Sequence, residues 1–242
     1  MYAVYYLGHS AWAVETRACL LVFDPAGVPS ASGQGLANCA IDLAAHNNKN
    51  IVIFYSHRHG DHYNEALHRA SQDLANVFTV LGGFASPLTK RTLTLQPGAS
   101  GAIGGINVYA ADSTDQGVCF LAEPEAEGGP VIFHAGDNAD WGDGDPANKR
   151  YVPAIDYIAG LDKKICAAFI PVCTSGGTRP SAMTKGALYA IKELNPAAVF
   201  PMHANGREEL YEGFAKDFSK AGVASSALYC AKRPGDRFDI GE

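Results

Sequence analysis

The stretch Ile51-Val52-Ile53-Phe54-Tyr55-Ser56 followed by His57-Arg58-His59-Gly60-Asp61-His62 decides how this chain is read. The continuous apolar run 51–55 suits a strand covered on both faces. Three imidazoles and a carboxylate follow it almost at once. His57 and His59 can point the same way only if the loop between them turns, and Gly60 permits such a turn. Asp61 and His62 add a carboxylate and another imidazole close by. Neutral imidazoles and carboxylates are the donors that zinc and similar ions take at about 2.0–2.2 Å. Four such groups on so short a loop do not easily serve one ion, so the spacing points to two adjacent ions. Residues 64–74 then have helical spacing, with Ala66, Leu67, Ala70 and Leu74 on one side. Strand, liganding loop and helix in that order place the site at the carboxyl end of a strand, where α/β proteins favour ligands.

Upstream, the runs 3–7, 11–15 and 19–23 read as strands, and Asp24-Pro25-Ala26-Gly27 ends the third as a turn. A Gly/Ser/Ala-rich loop is expected at 28–38 and a short helix at 39–46. Downstream, strands are expected at 77–81, 92–95, 106–110, 118–122 and 131–134. Helices at 151–161, 181–194 and 207–221 then alternate with strands at 166–171 and 197–201. Ser181 suits a helix start, and Asn195-Pro196 stops that helix. Two similar halves, each with strands first and helices later, predict an α/β fold: a four-layer αββα sandwich in one domain spanning 1–242.

Composition narrows the partners. At 47% hydrophobic and 18% charged residues, the chain can bury a core and does not resemble a disordered one. The formal charge of -6, without a Lys/Arg cluster, argues against nucleic acid or an acidic membrane surface as the partner. It leaves room for a small molecule, anionic ones included, because a metal can set the local field. No basic leader and no apolar run near the roughly 20 residues needed to span a bilayer are visible. The cysteines Cys19, Cys39, Cys119, Cys166, Cys173 and Cys230 form no C-x-x-C pair. A reduced, cytoplasmic protein is the simplest expectation.

The His57–His62 pattern, H-x-H-x-D-H, resembles that of the metallo-β-lactamase superfamily. Tyr6-Leu7-Gly8-His9-Ser10, Val22-Phe23-Asp24-Pro25, Phe133-His134-Ala135-Gly136-Asp137, Phe169-Ile170-Pro171 and Pro201-Met202-His203 extend the likeness over nearly the whole chain. Within the superfamily the chain resembles the small metal-dependent hydrolases that include the ascorbate-6-phosphate lactonase-like (UPF0173-type) group. The resemblance implies that His57 and His59 hold a first metal and Asp61 and His62 a second. It implies that Asp137 bridges them and that His203 completes the second site. Family members carry a histidine followed by serine after the strand equivalent to 106–110. This chain has Ala110-Ala111-Asp112-Ser113-Thr114-Asp115 there. Asp112 is the expected replacement ligand, with Asp115 as the alternative; the remaining option is that neither binds. The extra carboxylate favours harder ions such as Mn²⁺ or Fe²⁺ relative to Zn²⁺, which is otherwise the first expectation.

The chemistry so implied is hydrolysis of a small ester, lactone or phosphoester by water activated between two divalent ions. Asp61 would orient that water and move its proton. His9 and His134 are expected as neighbours that orient ligands, and Arg179 as a clamp for a carboxylate or phosphate. The likeness also implies self-association. The rival readings are an iron-dependent redox enzyme on the same fold and a non-catalytic binding module with a decayed first site.

Overall fold

The computed structural model describes residues 1–84, 89–142, 144–223 and 225–241. The strands run in chain order β1 (Tyr2–Gly8), β2 (Ala11–Glu15), β3 (Cys19–Phe23), β4 (Asn50–Tyr55), β5 (Val77–Leu81), β6 (Thr92–Thr94) and β7 (Ser100–Ile103). They continue with β8 (Ile106–Asp112), β9 (Val118–Pro124), β10 (Val131–His134), β11 (Ile165–Pro171), β12 (Ala198–Met202), β13 (Ala227–Leu228) and β14 (Arg237–Ile240). The α-helices are α1 (Glu65–Ser71), α2 (Tyr151–Ala159), α3 (Ser181–Leu194) and α4 (Leu210–Ala221). Two sheets form, ordered β14-β1-β2-β3-β4-β5-β6 and β13-β12-β11-β10-β9-β8-β7.

Alternation along the first sheet explains the layering. Val4, Tyr6, Trp12, Val14, Leu21, Phe23, Val52 and Phe54 face the second sheet and join its apolar residues in one core. Their neighbours Ala3, Tyr5, Ala13, Leu20, Val22, Ile51 and Ile53 face the other way, onto Leu67 of α1. A period of two sends successive side chains to opposite faces, so a strand apolar at every position must be covered twice. Between the sheets, Trp12 packs on Phe169 and Phe200 at ring-centroid distances of 5.0 and 5.3 Å. Phe54 meets Phe120 edge-on at 5.5 Å. Helices α2, α3 and α4 pack on β8, β11 and β12. The result is the expected αββα sandwich, although α1 is the one α-helix of the first half among the described residues.

The helix expected at 39–46 does not form. Ile41 makes a parallel bridge to Ser30 instead. The Asp42 carboxylate accepts the N–H groups of Gly33, Ala44 and Ala45, a local alternative that competes with a helix. The strands β7, β13 and β14 were not expected. Ser-Gly-Ala-Ile at β7 has little strand character of its own and is held by its antiparallel register with β8. No helix among the described residues is long and apolar enough to cross a membrane.

Register places the site. In the first sheet β3, β4 and β5 run parallel, with Phe23 level with Phe54 and Tyr55 with Leu81. In the second sheet β10, β11 and β12 run parallel, with His134 level with Phe169 and Pro171 with Met202. The loops that begin at Asp24, Ser56, Ala135, Val172 and His203 therefore leave one rim of the sandwich together. Two glycines let the chain close there. A Cβ on Gly82 or Gly117 would stand 1.9 or 2.0 Å from the Ser56 carbonyl oxygen, so only glycine lets these loops press against the start of the histidine loop.

Candidate metal centre

Two groups of donors meet at this rim. His57, His59, Asp115 and Asp137 form one, and His9, Asp61, His62 and His203 the other; within each, the donor atoms all lie within 4.8 Å of one another. Asp137, at the turn after β10, joins the groups. Its Oδ2 is 3.7 Å from His57 Nε2, while its Oδ1 is 3.1 Å from His62 Nε2 and 3.2 Å from His203 Nε2.

The outward-facing nitrogens are chosen by the hydrogen bonds behind them. His203 Nδ1 lies 2.8 Å from the Cys173 carbonyl oxygen, which can only accept, so this nitrogen carries the proton. His62 Nδ1 likewise donates to Asp24 Oδ2 at 2.8 Å. Ser56 Oγ donates to the same carboxylate oxygen at 2.7 Å and is 3.0 Å from His57 Nδ1, from which it accepts. The Ser56 N–H donates to Asp24 Oδ1 at 2.7 Å. One buried carboxylate thus sets the tautomers of His62 and, through Ser56, of His57. The Nε2 atoms of His57, His62 and His203 are left to face the cluster, the nitrogens that an ion would take.

Charge follows the same design. Burial alone would keep His62 neutral, but Asp24 and Asp137 outweigh it and raise its pKa well above the usual value near 6.5. His203 is raised too, against burial, chiefly by Asp137. His57 and His9 are lowered, chiefly by burial. Burial disfavours charge on Asp137, yet His203 and His62 hold its carboxyl well below the ordinary range. Asp61, half-exposed at the mouth, is held ionised chiefly by His9.

These residues fit divalent ions on an observation independent of their identities. His62 Nε2, His203 Nε2 and Asp137 Oδ1 are buried with only one another in reach, at 3.1–3.2 Å, and His9 Nδ1 is buried with no partner at all. Buried polar atoms without partners are costly, and here they converge. Separations of 3.1–3.3 Å between donors are edge lengths of a polyhedron whose bonds are about 2.0–2.2 Å.

The structure thus brings together His57, His59, Asp61, His62, Asp137 and His203, and it sets His9 among them. Asp112 is not among these donors. It ends β8, where its Oδ1 accepts from the Ser113 N–H at 2.9 Å and stands 3.3 Å from Arg150. Asp115 takes the position beside the histidines, 3.2 Å from His59 Nδ1 and 3.9 Å from His57 Nε2. The β8–β9 turn carries it there. Thr114 Oγ1 ties that turn to Ala139 on the Asp137 loop, and Val118 N–H donates to the Ser56 carbonyl. Alanine at Asp115 is therefore expected to lower metal content by one equivalent. Alanine at Asp112 should leave it unchanged, which elemental analysis of the purified variants checks.

Arg179 lies on the α3–α4 side, where its guanidinium holds Thr184 at 2.6 Å and Asp217 at 2.7 Å. His134 is buried, accepts the Gly136 N–H on Nδ1 and donates from Nε2 to the Ser10 carbonyl, so it ties loops together and has no nitrogen to spare. Cys173 contributes its carbonyl, while burial pushes its thiol up to about 12. Asp24 and Ser56 were missed as site residues. By its neighbours in sequence Asp24 is a turn aspartate; its place directly after the all-apolar strand β3 is the signal that it does more.

No protein-family model matches the chain. Among curated proteins it is similar to a UPF0173 metal-dependent hydrolase of Desulforamulus reducens, 28% identical over 83% of each chain. Another UPF0173 metal-dependent hydrolase, of Pelotomaculum thermopropionicum, is 25% identical over 98% of this chain and 99% of its own length. Among solved structures it is similar to a metallo hydrolase of the archaeon Ignicoccus hospitalis, with a TM-score of 0.65, 18% identity and 99% of both chains covered. Over its full length the chain is thus similar to UPF0173 metal-dependent hydrolases in sequence and to a metallo hydrolase in fold.

Proposed function

We propose that this chain is a metal-dependent hydrolase acting on a small, anionic ester, lactone or phosphoester. The observation that carries the reading is the pair of donor groups joined by Asp137, whose buried nitrogens and oxygen have only one another in reach. Divalent ions held there would polarise a substrate oxygen and make water a nucleophile near neutral pH. His57, His59, Asp115 and Asp137 would hold one, and Asp61, His62, Asp137 and His203 the other. Asp61 is the proton acceptor of the chain: ionised, half-exposed, and positioned by His9 at 3.3 Å. Asp24 and Ser56 keep the imidazoles in the tautomers that bind.

A cavity of about 380 Å³ opens beside this cluster. His57, Asp115, Arg58, Arg150, Gln96 and Phe84 are among the residues that line it. Arg150 is engaged by Asp112 and the Thr114 and Asp115 carbonyls. Arg58 makes no ion pair among the described residues, so its guanidinium is available to a carboxylate or phosphate. Such a volume suits a small molecule and not a polymer.

The test is to remove metal with a chelator, restore Zn²⁺, Mn²⁺ or Fe²⁺ separately, and assay a panel of lactones, carboxylic esters and phosphodiesters. Hydrolysis is expected to vanish on chelation and return with metal; a reconstituted protein inert on the whole panel would refute the reading. Metal affinity should also depend on pH. Without an ion, Asp24 and Asp137 keep a proton on His62 to a pH well above 6.5. Binding must expel that proton, so affinity should fall about tenfold for each pH unit below the raised pKa of His62. Calorimetric titrations at several pH values measure the slope, and a flat profile would contradict it.

A further inference from the structure

The turn between β1 and β2 carries a histidine that the metal-binding pattern does not require. His9 has φ of 50°, in the left-handed region, directly after Gly8 at 116°. A non-glycine residue there is uncommon and stores strain, which persists where the surroundings impose it. What imposes it is the second sheet: His9 gives its carbonyl to the His203 N–H at 3.2 Å, and His203 is itself at φ of 77°. The two strained histidines thus fix each other across the rim. Their ring centroids stand 4.3 Å apart, and the His9 ring meets His62 edge-on at 5.6 Å.

We propose that His9 is a direct ligand of the ion held by Asp61, His62, Asp137 and His203. The inference rests on the metal-dependent reading above and adds a donor to it. Both ring nitrogens of His9 are buried; Nδ1 has no hydrogen-bond partner, and Nε2 has only Asp61 Oδ2 near it. A histidine that served only to orient Asp61 would be expected to donate one N–H to that carboxylate and the other to a partner behind it. His9 Nε2 lies 3.3 Å from Asp61 Oδ2, the spacing of two donors on one ion rather than of a strong charge-assisted bond. The donor atoms of His9, Asp61, His62 and His203 also lie within 4.8 Å of one another without help from Asp137.

The consequence is an unequal pair. One position would have the imidazoles of His57 and His59 with the carboxylates of Asp115 and Asp137. The other would have the imidazoles of His9, His62 and His203 with the carboxylates of Asp61 and Asp137. The richer position fills first, and it depends on a turn far from the H-x-H-x-D-H loop in sequence.

The test uses the full-length protein, stripped of metal and titrated with Co²⁺. Asparagine replaces His9 because it tolerates the left-handed backbone, and glycine provides a second variant that removes the strain altogether. Melting temperature and circular dichroism establish that both fold; if only one does, it alone is read. Wild-type protein with one equivalent of Co²⁺ should show three hyperfine-shifted, solvent-exchangeable imidazole N–H resonances, from His9, His62 and His203. His9→Asn and His9→Gly should show two. The tighter Co²⁺ affinity should fall by more than about a hundredfold, beyond the 10–100-fold typical of a residue that only orients a ligand. Two such resonances in the wild type, or a count unchanged by the substitution, would overturn the assignment while leaving the metal-dependent reading intact. Wild-type protein that binds no divalent ion at all would overturn both.

Discussion

Replacing Asp137 by alanine is expected to strip the protein of both ions and to lower hydrolytic turnover by about a thousandfold, the scale of losing preorganised charge at a reacting centre. Asp137 is the residue on which the two donor groups depend together. One oxygen faces His62 and His203 and the other faces His57. The carboxylate is also what keeps His203, and in part His62, above their ordinary pKa. Without it burial dominates His203, and its pKa should fall in the metal-free variant. Asparagine at 137 keeps the shape and one accepting oxygen but not the charge, and so should retain more metal than alanine does. Elemental analysis, turnover on the substrate found by the panel, and histidine NMR titration check these three statements. An Asp137→Ala protein that keeps two ions and turns over within tenfold of wild type would sink the shared-carboxylate account.

The second large effect lies behind the cluster. Asp24→Ala should destabilise the fold by roughly 3–5 kcal/mol, the cost of breaking a buried charged network. For a chain of this size that is about a 10 °C drop in melting temperature. The carboxylate is almost fully buried and accepts the Ser56 N–H, the Ser56 hydroxyl and the His62 Nδ1–H. Alanine would leave all three donors in an apolar setting without partners. It would also release the tautomers of His57 and His62, so metal affinity should fall about 10–100-fold besides. Asp24→Asn separates the two effects. Asparagine accepts the left-handed backbone that Asp24 adopts at φ of 44°, and it fills the same space. It cannot accept from every donor, so its stability should lie between alanine and wild type. Calorimetry and metal titration together provide the test; equal melting temperatures for Asp24→Ala and wild type would remove Asp24 from the design.

Much of the architecture was legible because the sequence carries it locally. The run 51–55 is apolar at every position, and that fact alone demands cover on both faces. It became β4, the centre of the first sheet with its histidine loop at the carboxyl end. The helix at 181–194 was equally plain, from its periodicity and its Asn-Pro stop. The helix imagined at 39–46 was not there, because a single carboxylate, Asp42, offered those backbone groups a tighter local arrangement. Strand β7 was invisible because its residues are small; its pairing with β8 supplies what they lack.

For the site the division is sharper. Ligand types and their clustering on one loop are properties of the sequence, since imidazoles and carboxylates two or three residues apart must be near one another wherever they fold. The H-x-H-x-D-H loop therefore points to a metal centre by itself. It could not say which carboxylate from a distant hairpin would stand beside His57 and His59. Asp112 is nearer the end of its strand, but the turn pinned by Thr114 and by the Ser56 carbonyl carries Asp115 inward. Nor could it show that Asp24, an ordinary turn residue by its neighbours, orients two of the histidines. Nor did it say that His9, from the first hairpin, would lie in van der Waals reach of His203 near the other end of the chain. Those are decisions of register: parallel strands in two facing sheets bring their carboxyl ends to one rim, and only there do residues far apart in sequence acquire a common charge to hold.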